Sequence, residues 1–365
     1  MIDQSRFAAV PDAPEHGGRL RRAAEQFGIP LAQWLDLSTG INPHSWPVPA
    51  LPPSVWARLP EDDDGLESAA AQYYGAAAPL PLAGSQAAIQ VLPTLRPPCR
   101  VGVPAVGYQE HAHAWRRAGH QVIELSDADL FDQSPPAPLF QRGEEEKPPF
   151  EKGGLGGFID QLDCLIVINP NNPTGRCWPL TTLLHWQQRL AAHGGWLIVD
   201  EAFMDVTPSA SLLPSLNRPG LIVLRSLGKF FGLAGARVGF LFADKALQMQ
   251  VQTQLGPWTV AGASRWVATQ ALTDSAWQMT TRAALPLAAA RLANLLTQHG
   301  LAPSGGTALF QWVITEHADY IAAGLAQHGI LVRRFAQPAS VRFGLPGDAS
   351  EWERLRLALA ALMRG

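Results

Sequence analysis

The chain has 365 residues, with 28 Lys+Arg against 31 Asp+Glu, three Cys and 47% hydrophobic residues, enough to bury a sizeable core without staples and to build about two domains. A net charge of −3 with no long basic block excludes the electrostatic footprint of a nucleic-acid or anionic-membrane binder. An odd cysteine count without C-x-x-C spacing disfavours a disulfide framework and a zinc cluster, and no metal is expected.

The first residues, Met1-Ile2-Asp3-Gln4, show neither a cationic nor an apolar leader pattern, and no run of about 18 apolar residues follows; a soluble cytoplasmic protein is expected. Residues 1–40 are too short for a domain and are expected to pack on the smaller of two bodies. β-Branched runs then occur at 99–103, 121–125, 164–168, 196–199, 221–224 and 238–242. Helix-like stretches lie between them at 85–95, 109–118 and 180–193, the last stopped by Gly194-Gly195. This alternation is α/β grammar, and the continuous apolarity predicts a mostly parallel sheet buried on both faces, with ligands beyond the strands' carboxyl ends. The large domain spans 41–243. Within it, 131–158 is rich in Pro, Glu and Gly runs and cannot form a core; it reads as a mobile surface insertion rather than a phosphate-cradling loop. From 244 to 365, Ala/Leu-rich helices with strands at 330–334 and 340–343 and a final helix at 350–363 predict a smaller α+β domain.

Five constellations fall at or near strand ends. Gly84-Ser85-Gln86 is a glycine turn opening a helix whose N–H groups suit a phosphate. Tyr108, with Glu110 and His111 beside it, offers a ring for stacking on a planar ligand. The segment Asn169-Pro170-Asn171-Asn172-Pro173-Thr174-Gly175 is turn chemistry that leaves Asn172 able to donate an amide hydrogen bond. Asp200 ends an apolar strand, where a carboxylate either pairs with a cation such as a protonated pyridine nitrogen or caps a helix. Ser226-Leu227-Gly228-Lys229 sets a lysine among apolar and glycine neighbours, where desolvation lowers its pKa as Schiff-base chemistry requires; a surface lysine with a snorkelling stem is the alternative. Together these describe one ligand carrying a phosphate, a ring face, a phenolic oxygen, a ring-nitrogen cation and an aldehyde, namely pyridoxal 5'-phosphate.

The succession N-P-x-N-P-T-G, D-E-A-F and S-x-x-K, with an arginine eight residues beyond the lysine, resembles that of the fold type I, class I/II aminotransferase-like pyridoxal-phosphate enzymes over nearly the whole chain outside 131–158. The resemblance implies a central, mostly parallel sheet with helices on both faces, a smaller C-terminal domain and a homodimer. It implies that Lys229 bonds the cofactor, Asp200 partners its ring nitrogen, Asn172 donates to its ring oxygen, and Tyr108 stacks on the ring. Gly84, Ser85, Gln86, Ser226 and Arg237 correspond to the phosphate cup. Two departures stand out: Phe203 where a tyrosine is frequent, and Leu59-Pro60-Glu61-Asp62 where many relatives carry a Y-P-D-like motif. Within the superfamily, His16-Gly17-Gly18, the stretch 35–43 and Pro257-Trp258-Thr259-Val260 resemble the cobalamin-pathway L-threonine O-3-phosphate decarboxylases, with histidinol-phosphate aminotransferases as near cousins. His16-Gly17-Gly18 reads equally as a simple N-terminal turn. The implied substrate is a small phosphorylated amino acid, and the implied product is (R)-1-aminopropan-2-ol O-2-phosphate. Arg342 aligns with the superfamily's carboxylate arginine, while Arg333, with Arg334, His16, Gly17 and Asn42, is expected to hold the remaining anionic oxygens. Transamination with 2-oxoglutarate and a noncatalytic binding protein remain the alternative readings.

Overall fold

A computed structural model of the chain describes residues 14–131 and 158–362, so the insertion expected at 131–158 falls, at 132–157, outside them. In chain order the strands are β1 (Leu35–Leu37), β2 (Leu80–Leu82), β3 (Arg100–Pro104), β4 (Gln121–Leu125), β5 (Cys164–Ile168), β6 (Trp196–Asp200), β7 (Leu221–Ser226), β8 (Gly239–Phe242), β9 (Gly305–Thr307), β10 (Phe310–Ile314), β11 (Ile330–Phe335) and β12 (Ser340–Gly344). Strands β2 to β8 form a sheet in the order β2-β8-β7-β6-β5-β3-β4, in which β8 alone runs against its neighbours. The predicted runs are present, those at 121–125 and 164–168 with the same ends and the others within two residues.

Alternation of side chains along this sheet divides the interior in two. Leu165, Leu197, Val199, Val223 and Phe242 belong to one buried cluster, and Cys164, Ile166, Ile198, Ile222 and Leu224 to the other. The second cluster packs under the helices Ser85–Val91 and Glu110–Arg117, and the first under Leu180–Ala191. Helix Leu180–Ala191 ends as its sequence predicts: Gly194, at φ 74°, lets the Gly195 N–H return 2.8 Å to the Leu190 carbonyl. The stretch 85–95 is α-helical only to Val91; with Pro93 in the next turn, Leu92–Leu95 tightens to a 3-10 helix.

The remaining strands form a second sheet in the order β1-β11-β12-β10-β9. Its edge strand β1 comes from near the start of the chain and pairs in parallel with β11, Leu35 opposite Ile330. The three-residue strands β1, β2 and β9 are too short to leave a periodic signal, and sequence reading missed them together with β10. Asp274 caps the helix Ser275–Gln298 through the Trp277 N–H at 3.0 Å. No helix among the described residues is long and apolar enough to cross a membrane.

Candidate active site

A cavity of about 650 Å³ opens where the second sheet meets the carboxyl ends of the first, lined among others by His16, Ser38, Tyr108, Asn172, Lys229 and Arg342. That is the crevice position expected of an open parallel sheet.

Lys229 follows β7 in a loop whose shape is fixed by its own carbonyl, which accepts from the Asn42 N–H (3.0 Å) and the Gly232 N–H (3.2 Å). Its Nζ lies 5.5 Å from the Phe203 ring and has no hydrogen-bond partner among the described residues. Burial lowers its pKa to about 8; Arg342 pushes the same way and Asp200 opposes. A partly neutral amine near physiological pH is the form that attacks a carbonyl carbon.

Asp200 closes β6 at 4% exposure. Its Oδ1 accepts from the Ala202 N–H (3.0 Å), and its Oδ2 lies 3.1 Å from Nε2 of the equally buried His111. Sequence reading noted His111 without assigning it a role, because its partner lies 89 residues away.

Arg342, on β12 at 6% exposure, donates to Asn172 Oδ1 and, at 2.6 Å, to the Ser38 carbonyl, while its Nε has no partner among the described residues. Burial, aided by Arg333 and opposed by Asp36, lowers its pKa to about 10, so it remains a cation at neutral pH. An unpartnered buried guanidinium N–H beside the cavity fits an anionic ligand.

A second cationic corner forms around Gly84. A Cβ at Gly84 would lie 2.5 Å from Arg237 Nη2, and one at Gly239 would lie 2.3 Å from the Ser85 nitrogen. Ser226 is the register partner of Gly239. The close approach thus gathers the Arg237 guanidinium, the Ser85 N–H and the hydroxyls of Ser85 and Ser226, a donor set suited to a phosphate. Tyr108 donates its hydroxyl to Gln86 Oε1 (3.1 Å), and burial pushes its pKa up.

Of the residues offered for substrate, His16, Gly17, Arg333, Arg334 and Arg342 line the cavity. Gly17 is there because of tight contact: a Cβ would lie 2.3 Å from the Ser38 carbonyl oxygen. Arg333 donates to the Glu15 carbonyl (2.6 Å), whereas Arg334 turns to Asp319. Asn42 departs from its expected contact with substrate: its amide donates to the Phe230 carbonyl (2.9 Å), its oxygen accepts from the His44 N–H (3.0 Å), and it braces the lysine loop at 2% exposure.

The donor set fits pyridoxal phosphate: a lysine amine, a buried carboxylate, an asparagine amide and a cationic corner. Comparison with known proteins agrees. The family "Aminotransferase class I and II" matches residues 57–362. The chain is 53% identical over 345 residues to a threonine-phosphate decarboxylase of Pseudomonas aeruginosa, covering 94% of this chain and 97% of the relative. It is 38% identical to a threonine-phosphate decarboxylase of Sinorhizobium sp over 95% and 98% of the two chains. Among solved structures, the histidinol-phosphate aminotransferase from Sinorhizobium meliloti in complex with pyridoxal-5'-phosphate superposes with a TM-score of 0.76 at 20% identity, over 99% and 98% of the chains. The L-threonine-O-3-phosphate decarboxylase from Porphyromonas gingivalis gives 0.70 at 18% identity, over 90% and 99%. The last two likenesses concern the fold.

Proposed function

Since the chain belongs to the aminotransferase class I and II family, we propose that it uses pyridoxal phosphate to decarboxylate L-threonine O-3-phosphate, giving (R)-1-aminopropan-2-ol O-2-phosphate and carbon dioxide. The observation that carries this reading is the 53% identity to a threonine-phosphate decarboxylase along almost the whole of both chains. The cavity chemistry supports it, because two arginines and an amine face a space that must accept a substrate with a carboxylate, a phosphate and an amino group.

Lys229 would hold the cofactor through its aldehyde carbon, Asp200 through the ring nitrogen, Asn172 through the ring oxygen, and Gly84, Ser85, Gln86, Ser226 and Arg237 through the phosphate, with Tyr108 against the ring. When bound, pyridoxal phosphate supplies an electron-withdrawing ring that takes up the pair left as the carboxylate departs. Asp200 would face the ring nitrogen, and His111 Nε2, 3.1 Å from its Oδ2, holds that carboxylate in place. Arg342 and Arg333 would orient the substrate anions and so select the bond that breaks. Lys229 Nζ, with its pKa lowered to about 8, is matched to returning a proton to the carbon that loses carbon dioxide.

The finer setting is also proposed: a step in cobalamin biosynthesis, carried out by a cytoplasmic homodimer. The free thiols of Cys99, Cys164 and Cys177 suit a reducing compartment. Exposed Trp56, Leu59, Met249 and Trp258 cluster around 54–62 and 249–260, as a subunit interface would require. The test is incubation of the cofactor-loaded protein with L-threonine O-3-phosphate and no keto acid. Release of carbon dioxide and the phosphorylated amino alcohol is expected. Amino transfer from histidinol phosphate to 2-oxoglutarate, without carbon dioxide release from the threonine ester, would overturn the reading.

A further inference from the structure

Glu110 opens the helix Glu110–Arg117 two residues after Tyr108, yet it is only 8% exposed. An acid in a first turn favours the helix dipole from an exposed position as well, so the dipole does not account for its burial. Its carboxylate is instead divided among side chains from distant segments. Oε1 lies 2.7 Å from His16 Nε2, and Oε2 accepts from Gln86 Nε2 (2.8 Å) and Gln90 Nε2 (3.3 Å). With its amide committed to Glu110, Gln86 turns its oxygen to the Tyr108 hydroxyl at 3.1 Å. The His16 ring lies 5.9 Å from the Tyr108 ring, and its side chain has no other hydrogen-bond partner among the described residues. The segment around His16 is also tied to the cavity wall by Gly18 N–H to Ser38 Oγ (2.7 Å) and by Arg333 to the Glu15 carbonyl (2.6 Å).

We propose that Glu110 is a positioning residue that locks residues 15–18 over the cavity mouth by holding His16, and at the same time fixes the Gln86–Tyr108 pair beside the cofactor pocket. One carboxylate thereby couples closure of the N-terminal segment to the geometry of the ring site. The inference builds on the proposed function in taking His16 as a substrate contact.

The experiment compares the cofactor-loaded wild type with Glu110→Gln, His16→Ala and the double variant. Glu110→Gln keeps the volume but sets an amide against donors. Losing a charge-assisted hydrogen bond predicts a rise of about tenfold in amide exchange at residues 15–18 and in KM for L-threonine O-3-phosphate, with kcat within about threefold. His16→Ala, which leaves the Glu110–Gln86 contact in place, is expected to raise exchange at 15–18 equally. The double variant is expected to be little worse than either single one. Unchanged exchange at 15–18 in Glu110→Gln, or single effects that multiply in the double variant, would overturn the proposal. If Glu110→Gln fails to fold, unchanged exchange in His16→Ala overturns it. A wild type inactive on the threonine ester sinks the proposed reaction alone, because the exchange measurement still decides the role of Glu110.

Discussion

Asp200 and Glu201 are adjacent in sequence and leave the end of β6 on opposite faces of the larger sheet, and the assemblies built on them differ in whether their cations meet carboxylates. Glu201 accepts from Arg225 (2.7 Å), the Ser211 hydroxyl (2.5 Å) and the Leu212 N–H (2.8 Å), and Arg225 also reaches Asp205 at 2.8 Å. Arg282 donates to the Asp205 carbonyl (2.8 Å) and the Tyr73 hydroxyl (2.9 Å), and Tyr74 faces the Arg225 guanidinium at 4.6 Å. Two carboxylates thus hold the buried Arg225 guanidinium, although Arg225 Nε and Asp205 Oδ2 have no partner among the described residues. On the Asp200 side the cations lack acids: among the described residues Lys229 Nζ has no hydrogen-bond partner, and Arg342 donates only to the Asn172 side-chain oxygen and the Ser38 carbonyl, with no carboxylate on its guanidinium. Unpaired buried charge is unfavourable, so a fold retains it where a ligand completes the set. Carboxylates on the buried guanidinium, rather than burial or charge alone, separate the structural cluster from the site.

The comparison breaks most sharply at Arg225. Arg225→Met leaves Glu201 and Asp205 buried without their cation and is expected to destabilise the protein by about 3–5 kcal/mol, read as a lower unfolding midpoint in urea. Arg342→Gln is the counterpart on the open side. Its expected effect is a KM raised by roughly 10- to 100-fold, from about 1.5–3 kcal/mol of lost charge-assisted bonding, with an unfolding midpoint no lower than wild type. A large fall in that midpoint would place Arg342 with the structural cluster instead.

The smallest effect is a pH dependence. Burial lowers the Lys229 pKa from 10.5 to about 8, so between those values the folded protein binds fewer protons than the unfolded chain. Stability contributed at Lys229 therefore rises with pH through that window. For the cofactor-free protein measured against Lys229→Met, the expected gain is on the order of 1–2 kcal/mol, allowing for water in the cavity. A flat difference from pH 8 to 10.5 would mean that the amine is not desolvated.

The residues that carry chemistry within a short stretch were legible. Lys229, Asp200, Asn172 and Ser85 each sit where a strand or turn delivers them, and local sequence encodes that delivery. Partnerships made by tertiary packing were not. His111 meets Asp200 across 89 residues, Glu110 meets His16 across 94, and nothing in either neighbourhood marks the pairing. Asn42 shows the converse: an asparagine in a suggestive stretch is spent on backbone groups of the lysine loop, and only the fold reveals it. Arg225 escaped notice because it follows an apolar run, and the alternation that turns it inward continues beyond that run.

The pairing of β1 with β11 has a consequence for biogenesis. Arg342 reaches the Ser38 carbonyl across 304 residues and Arg333 reaches Glu15 across 318. During synthesis β1 leaves the ribosome before its partner and waits until β11 and β12 have followed. A nascent chain that already holds Asp200 and Lys229 in a folded sheet still lacks the wall that closes the cavity. Closure of the cavity thereby waits for β11 and β12, and a product that stops before them carries the Lys229 amine without that wall.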